Sequence, residues 1–406
     1  MAAAAVGLSM VLISISKLLL VICSLGVLLF ARRAQATRNA MTGLCTPLAV
    51  LLCLFTFAAS LFWTVAPQAE GLTSLAKYGK LIMIILLVLL VRDRREARIG
   101  LAAFVFAQIF LLASSWLLFA QFPVPWATSR MALGEYSVFS SYLDQGIMSA
   151  VFAAICWHLR ACLFGKFGHK IAIFLVVAAL ANVFFVLSGR SGHLVAIALL
   201  SIGMMWELPK QYRAIVILLP FLLALGLFFS SAKVQDRLTE VATEVRGYSN
   251  QVAQTTSSGI RLQFWQRSLQ SIRQHPMAGS GVGSWSHEFN RLEREQNPAH
   301  INIDANGNPH QEYLLWGVQL GIPGILLFIA LLISVLRDTL KMETPYARAT
   351  QSTLLALVIA CMFNSSIYDA QIGDFFCVLI GLLLALGFTK TAGEATSTPP
   401  TSRLCE

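Results

Sequence analysis

The chain of 406 residues is 57% hydrophobic and only 12% charged, and its mean hydropathy is +0.70. A soluble domain has about 25% charged residues, so this composition excludes an ordinary soluble protein. The formal net charge of +10 is compatible with nucleic-acid binding. The basic residues, however, fall in short loops between apolar runs, which argues against that class.

Apolar runs long enough to cross a bilayer recur along the chain. We predict eleven membrane spans, at residues 6–30, 44–66, 72–91, 99–120, 136–158, 170–187, 190–206, 212–230, 312–336, 347–364 and 373–389. Lys17 interrupts the first run. Residues 1–30 are therefore interpreted either as one span or as a tight hairpin, which would bring the total to twelve.

The positions of lysine and arginine predict the orientation of these spans. Alternate loops hold 17 of the 30 basic residues and are expected in the cytoplasm: 31–43, 92–98, 159–170, 207–213, 337–348 and the C-terminal tail. The opposite short loops hold two basic residues, Arg130 and Arg190. The long segment 231–310 is then expected outside and the C-terminus inside.

Four regions follow from this pattern: N-terminal membrane helices (1–230), an outer loop domain (231–310), C-terminal membrane helices (311–390) and a disordered cytoplasmic tail (391–406). In the loop domain, "KVQDRLTEVATEVR" (233–246) and "SSGIRLQFWQRSLQSIRQH" (257–275) have the periodicity of amphipathic helices, and Pro276 ends the second. The following "GSGVGS" lacks the strand and the lysine of a nucleotide-binding loop. We interpret the "GSGVGS" segment as a flexible turn at the membrane surface.

A histidine stands where the outer segment meets an apolar helix, in "NGNPHQEYLLWG". Asn308 suits the N-cap, Pro309 the first helical position, and Gln311 follows the cap by three residues. His310 is thus predicted in the first turn of a membrane helix. The positive end of the helix favours a neutral imidazole, which a general base requires. The alternative is an interfacial histidine that makes a cap contact.

Two arginines on the outer side fit an anionic substrate. Arg190, in "VLSGRSGHL", is costly at the membrane edge without an anionic partner, although it can also extend to lipid phosphate. Arg261 lies on one stripe of the 257–275 helix with Trp265, Ser268 and Ile272. With His310, these arginines suit a lipid diphosphate donor and a hydroxyl acceptor, and an apolar groove between helices would hold the lipid tail.

Further candidates are weaker. Lys77 and Lys80, three residues apart in "SLAKYGKL", are expected to contact phosphate or to extend toward the membrane surface. Asp144, just inside a span, is a functional candidate because intramembrane carboxylates are costly. The remaining additional candidates are Arg130 and Gln311. Neither HExxH nor DxD occurs, so we expect no metal, although His275, His287, His300 and His310 with nearby acidic residues leave that alternative open.

Three patterns resemble the O-antigen ligase and polymerase superfamily of membrane glycan transferases. They are His310–Gln311 followed after nine residues by Gly321 and, three residues later, Gly324; "RQHPMAGSGVGSW" with the upstream Arg261; and "SGRSGHL" with Arg190. The resemblance implies an all-α, GT-C-like polytopic membrane protein of the bacterial inner membrane with about 11–12 transmembrane helices. It further implies one large, mostly helical periplasmic loop, a periplasmic active site, an undecaprenyl-diphosphate-linked glycan donor and no cofactor or metal.

Carried onto the matching positions, the resemblance implies that His310 is the base and that Arg190 and Arg261 bind the diphosphate. The expected reaction transfers O-antigen glycan from undecaprenyl diphosphate to a hydroxyl of lipid A–core oligosaccharide, with inversion if the attack is direct. An O-antigen polymerase or a protein O-oligosaccharyltransferase of the same superfamily is the alternative. A transporter or flippase of lipid-linked sugars is the rival from another class, although paired repeats are not apparent.

Overall fold

The computed structural model describes residues 1–8, 10–29, 43–91, 93–212, 257–296 and 307–389. The regular secondary structure in these ranges is entirely helical, without strands, as the sequence predicts. The first part contains α1 (Met10–Leu29), α2 (Thr46–Ala59), α3 (Gln68–Leu90), α4 (Arg94–Phe119), α5 (Tyr142–His158), α6 (Arg160–Val186) and α7 (Arg190–Glu207). The second contains α8 (Ser257–Gln274), α9 (Trp285–Gln296), α10 (Glu312–Thr339), α11 (Thr344–Phe363) and α12 (Ala370–Phe388).

Six helices within the described ranges are long and apolar enough to cross a membrane: α3, α4, α6, α10, α11 and α12. They correspond to six of the predicted spans. The predicted spans 44–66, 136–158 and 190–206 also contain helices, but α2, α5 and α7 have only 14, 17 and 18 residues. The predicted span 212–230 and the helix 233–246 lie outside the described residues. The total of 11–12 spans therefore stays a prediction.

The N-terminal run differs from both expectations. The long helix α1 begins at Met10 rather than at residue 6, and the four-residue helix Ala2–Ala5 precedes it. The chain turns at Gly7, whose φ of 89° is available to glycine at little cost. Gln108 donates to the backbone oxygen of Val6 at 3.4 Å, so this turn is tied to α4.

Helix α12 is the most deeply buried of the membrane helices, and it packs against α3, α4 and α11. Its sequence, "AQIGDFFCVLIGLLLALGF", is apolar on all sides, which suits a helix surrounded by other helices. Its buried charge, Asp374, forms an ion pair with Lys17 of α1 at 2.7 Å. This pairing accounts for the lysine in the middle of an otherwise apolar N-terminal run.

One end of the bundle gathers residues from the basic loops. The buried carboxylate of Asp338, at the end of α10, accepts from the backbone amides of Cys45 and Thr46, each at 2.8 Å, and so caps the start of α2. Lys341 donates to the backbone oxygen of Gly43 at 2.8 Å. Three further interhelical ion pairs lie in these basic loops: Arg94–Glu343, Arg160–Glu207 and Arg348–Glu207.

The connection between α8 and α9 inserts into the bundle. Ser280 and Gly281 are buried, and their amides donate to the backbone oxygens of Val318 and Gln319 in α10, at 2.8 and 2.9 Å. The oxygen of Ser280 accepts from the amide of Val65 at 3.0 Å. The prediction of a flexible surface turn for "GSGVGS" is therefore wrong, because its glycines allow backbone to pack directly on backbone.

Helix α10 is broken where this connection meets it. Gly321 has φ 73° and ψ −163°, a conformation that a side chain would strain. The next amide, that of Ile322, donates to the oxygen of Pro276 at 2.7 Å. A Cβ at position 321 would lie 2.5 Å from that same oxygen. The broken helix and the inserted connection thus hold α8 against the membrane helices.

Candidate functional site

His310 lies immediately before α10, not in its first turn. The N-cap is Gln311, whose Oε1 accepts from the amide of Leu314 at 2.5 Å. The predicted cap at Asn308 is therefore wrong. Asn308 instead accepts from the amide of His310 at 2.9 Å, closing a local side-chain-to-backbone turn that competes with the helix.

The backbone of His310 is strained. Its φ is 51°, in the left-handed region, which costs a non-glycine residue about 1–2 kcal/mol. The hydrogen bond from its amide to Asn308 holds it there. Strained residues of this kind cluster at functional sites.

The imidazole of His310 contacts two other parts of the fold. Its Nδ1 lies 3.1 Å from Oδ1 of Asn364, at the end of α11. On another side it stacks with Phe264 of α8, with ring centroids 6.4 Å apart. The neighbouring Trp265 donates from Nε1 to the oxygen of Pro309 at 3.2 Å. Helix α8 therefore braces both the ring and the backbone that precedes it.

A carboxylate that the sequence analysis did not single out completes this cluster. Asp369 precedes α12 and accepts from Nδ2 of Asn308 at 3.0 Å and from the amide group of Asn364. Burial raises the pKa of Asp369, while the nearby basic side chains of His310, Lys80 and Lys77 oppose that rise. The signal was present in the polar run "FNSSIYDAQ", but its partners are some 60 residues away in the chain.

The loop that carries Asp369 is anchored to α10 by a buried carboxylate. Glu312 is fully buried, and its Oε1 accepts from Nε1 of Trp316 at 2.8 Å. Its Oε2 accepts from the backbone amides of Ile367 and Tyr368, at 2.9 and 3.2 Å. The first turn of α10 and the loop between α11 and α12 therefore form one unit around His310.

Arg190 is the first residue of α7, directly after the N-cap Gly189. Two glycines let this helix approach α5 closely. A Cβ on Gly189 would lie 3.2 Å from the Cα of Leu143, and one on Gly192 would lie 3.0 Å from the Cα of Gly146. The N-cap residue of α7, Gly189, makes no side-chain cap hydrogen bond. The N-terminal turn, with Arg190 in it, is thus brought against the start of α5.

Arg261 approaches Arg190 from α8. Burial lowers the pKa of Arg261; nearby Tyr142 opposes this shift, and the positive charge of Arg190 adds to it. Among the described residues, no carboxylate forms an ion pair with Arg261. Two guanidinium groups within electrostatic range of each other, one of them partly desolvated, form a candidate site for an anion.

The structure separates the two lysine candidates. Lys77 is exposed and lies over the ring of Tyr368, 4.2 Å from its centroid, within electrostatic range of Asp369. Lys80 is buried and donates to the backbone oxygens of Tyr368, Asp369 and Ala370, at 3.4, 2.6 and 3.4 Å. The ammonium group of Lys80 therefore binds the loop before α12. It lies behind the site and not at its surface.

The remaining candidates differ in their surroundings. Asp144 begins α5 and lies within electrostatic range of Asp369, and its Oδ1 is buried without a hydrogen-bond partner among the described residues. Arg130 is exposed. The segment that carries Arg130 is tied to the start of α7, because Ser188 donates to Glu135 in a short hydrogen bond. Gln311 is occupied as the cap of α10.

Two further features concern a metal site and the lipid groove. Within the described ranges, no three side chains of His, Cys, Asp and Glu are close enough together to hold a metal ion.

An apolar cavity of about 300 Å³ lies between α5, α6 and α7. Its lining includes His158 and Glu207, which end α5 and α7, so it lies away from Tyr142 and Arg190, which begin them. The predicted lipid groove is not this cavity.

Comparisons with known proteins concern the same part of the chain. Residues 174–329 match the family model described as O-antigen ligase, and this range includes Arg190, Arg261 and His310. A protein of Haemophilus influenzae, described as uncharacterized, is 24% identical over 216 residues, which cover 51% of this chain and 53% of that protein. The chain thus spans about half the length of the curated relative it matches.

The helices define a polytopic membrane protein in the part of the chain that the structure describes. Its segment 174–329 is similar to the O-antigen ligase family.

Proposed function

We propose that the chain transfers a glycan from undecaprenyl diphosphate to a hydroxyl of lipid A–core oligosaccharide, without a metal ion. One observation carries this proposal. Helix α8 places the ring of Phe264 near that of His310, with centroids 6.4 Å apart, and carries Arg261, three residues earlier, within electrostatic range of Arg190. A candidate base and a candidate anion site are thus held by the same short stretch of helix.

The diphosphate binds between Arg190 and Arg261. The first turn of α7 adds the partial positive charge of a helix N-terminus, which favours anions. Each hydrogen bond to a charged group contributes about 1.5–3 kcal/mol. Two guanidinium groups therefore stabilise the charge that develops as the diphosphate leaves, and the need for a general acid is correspondingly small.

His310 accepts the proton of the acceptor hydroxyl. The hydroxyl oxygen forms a bond to the anomeric carbon of the donor, and the bond from that carbon to the diphosphate oxygen breaks. The electron pair leaves with the diphosphate, and the proton goes to the imidazole. Direct attack predicts inversion at the anomeric carbon, so a product with the donor's configuration would reject a single displacement.

The site is proposed to open to the periplasm, with the C-terminus in the cytoplasm of an inner-membrane protein. The basic loops meet at the end of the bundle where Asp338 caps α2, whereas His310 lies at the opposite end of α10. This polarity supports the orientation that the distribution of basic residues predicts. The ligase is favoured over a polymerase or a protein O-oligosaccharyltransferase by the family match and by the single long outer loop.

Glycan transfer between two purified lipids in detergent tests the proposal. Because no sealed membrane is present, a flippase cannot give a product. The native protein is expected to add mass to lipid A–core, and His310→Ala is expected to lower the rate by about 100-fold or more, the usual contribution of a general base. His275→Ala is the matched control, since His275 is an exposed histidine at the other end of α8.

A His310→Ala variant as active as His275→Ala would remove the base from the proposal. A product formed only on a second lipid-linked glycan would identify a polymerase instead. Treatment with a chelator is expected to leave the rate unchanged, and a large loss would require a metal ion in the reaction.

A further inference from the structure

Two asparagine amides connect His310 to the same carboxylate. Asn308 accepts from the backbone amide of His310 and donates to Oδ1 of Asp369 at 3.0 Å. Asn364 lies with Oδ1 3.1 Å from Nδ1 of His310 and has its own hydrogen bond to Asp369. One asparagine thus holds the backbone of His310 and the other holds its ring.

The orientation of the Asn364 amide follows from its two partners. An ionised carboxylate only accepts hydrogen bonds, so Asp369 takes the NH₂ end of the amide. The oxygen end then faces Nδ1 of His310, and a hydrogen bond between them requires a proton on Nδ1. In a neutral imidazole, a proton on Nδ1 puts the lone pair on Nε2. A reversed amide would place its oxygen against the carboxylate.

The loop that supplies Asn364 and Asp369 is held from both sides. Glu312 accepts from two of its backbone amides, and Lys80 donates to three backbone oxygens at its end. The ring of Phe264 lies at an angle of 22° to the imidazole, with centroids 6.4 Å apart. The amide that faces Nδ1 is therefore fixed relative to the ring, rather than carried on a freely moving loop.

We propose that Asn364 is a positioning residue that keeps His310 in the Nδ1-protonated tautomer, with Nε2 as the proton acceptor, and that Asp369 orients Asn364. The tautomer follows from the hydrogen bonds alone. Its effect on the rate rests on the proposed function, in which His310 is the base. Substrate then approaches the ring from the Nε2 side.

The tautomer is measured by ¹⁵N NMR of histidine-labelled protein in detergent, with the His310 signals identified by their loss in His310→Ala. The native protein is expected to show a protonated Nδ1 and an unprotonated Nε2. In Asn364→Ala, the His310 signals are expected to shift toward a mixture of tautomers. Ser365→Ala is the matched control, because Ser365 is buried in the same loop and its hydroxyl has no partner among the described residues.

Kinetics of the same variants separate positioning from simple support of the fold. Asn364→Ala is expected to lower kcat by about 10–100-fold with little change in the KM for the donor, the usual scale for residues that orient a functional group. Asp369→Asn keeps one carbonyl oxygen that can accept from an asparagine amide, so it should retain more activity than Asp369→Ala. Thermal unfolding identifies any variant whose loss comes from misfolding.

An Nε2-protonated His310 in the native protein would overturn the inference, and so would an Asn364→Ala variant with the kcat and spectrum of Ser365→Ala. These results leave the proposed function intact as long as His310→Ala is inactive. If His310→Ala is active instead, the proposed function fails, while the NMR result still decides the tautomer.

Discussion

Three arginines on α8 lie in three different environments, although their sequence contexts are similar. Arg261 is partly buried near Arg190, whereas Arg267 is buried and forms a short ion pair with Glu293 of α9. Arg273 is exposed near the end of the helix. Position along one helix therefore separates a candidate substrate contact, a link between helices and a solvated charge.

These environments predict three outcomes for substitution by alanine. Arg261→Ala should raise the KM for the lipid diphosphate or abolish transfer at unchanged stability. Arg267→Ala should lower the free energy of unfolding by about 3–5 kcal/mol, because it removes one member of the buried ion pair with Glu293. Arg273→Ala should change neither the transfer rate nor the free energy of unfolding. Transfer rates and thermal unfolding, measured side by side, check all three.

The matched pair Arg261→Lys and Arg261→Ala sharpens the assignment at the same position. A lysine keeps the charge but loses the planar, two-pronged contact that a guanidinium makes with phosphate. Intermediate activity in the lysine variant is therefore expected. Native activity in both variants would contradict a diphosphate contact.

At the scale of elements, the break in α10 and the connection inserted there form the joint that locates α8. Pro276 lies directly after α8, and its oxygen accepts from the amide that follows Gly321. Because α8 carries Phe264 and Arg261, a change at this joint is expected to reach the site without touching any residue in it. The Gly321 and Gly324 of the sequence pattern thus have a packing role.

Gly321→Ala is predicted to destabilise the protein by more than about 2 kcal/mol, because it combines a left-handed conformation with a backbone clash at 2.5 Å. Transfer activity should fall with it, and protease cleavage around α8 should increase. Gly203→Ala is the control: a Cβ at this position in α7 meets nothing within 4 Å, and alanine favours a helix. Equal melting temperatures for the two variants would contradict the role of the joint.

At the scale of the whole molecule, charge divides the bundle into two ends. His310, Asn364 and Asp369 meet at one end, between the start of α10 and the loop before α12. Arg94 and Lys341 contact neighbouring elements at the other end of the bundle. A bundle with this polarity is expected to insert with the basic end in the cytoplasm.

Labelling of introduced cysteines in intact cells tests that orientation. Gly307 and Arg95 are both exposed and lie at opposite ends. An impermeant maleimide should label Gly307→Cys from the periplasmic side, whereas Arg95→Cys should react only after the membrane is opened. The native chain measures the background from its own cysteines. If Arg95→Cys were labelled in intact cells and Gly307→Cys only after the membrane is opened, His310 would lie on the cytoplasmic side. That result would exclude a periplasmic reaction.

Local patterns in the sequence were sufficient for several features. The long apolar runs predicted α3, α4, α10, α11 and α12 to within a few residues, and Pro276 marked the end of α8. These features depend on hydrophobic periodicity and on residues that cannot continue a helix, both of which act over a few neighbouring positions. The cap of α10 was misplaced because Oδ1 of Asn308 accepts from the amide of His310, while its Nδ2 donates to Asp369, 61 residues away.

The sequence by itself determined that this is an all-helical membrane protein with a histidine and two arginines of the O-antigen ligase pattern, because burial in lipid and the spacing of motifs are recorded residue by residue. Only the tertiary structure decided that Asn364 and Asp369 hold His310, that Lys80 lies behind the site and that "GSGVGS" packs inside the bundle. Hydrogen bonds between distant segments depend on how helices pack, and no local pattern carries that information.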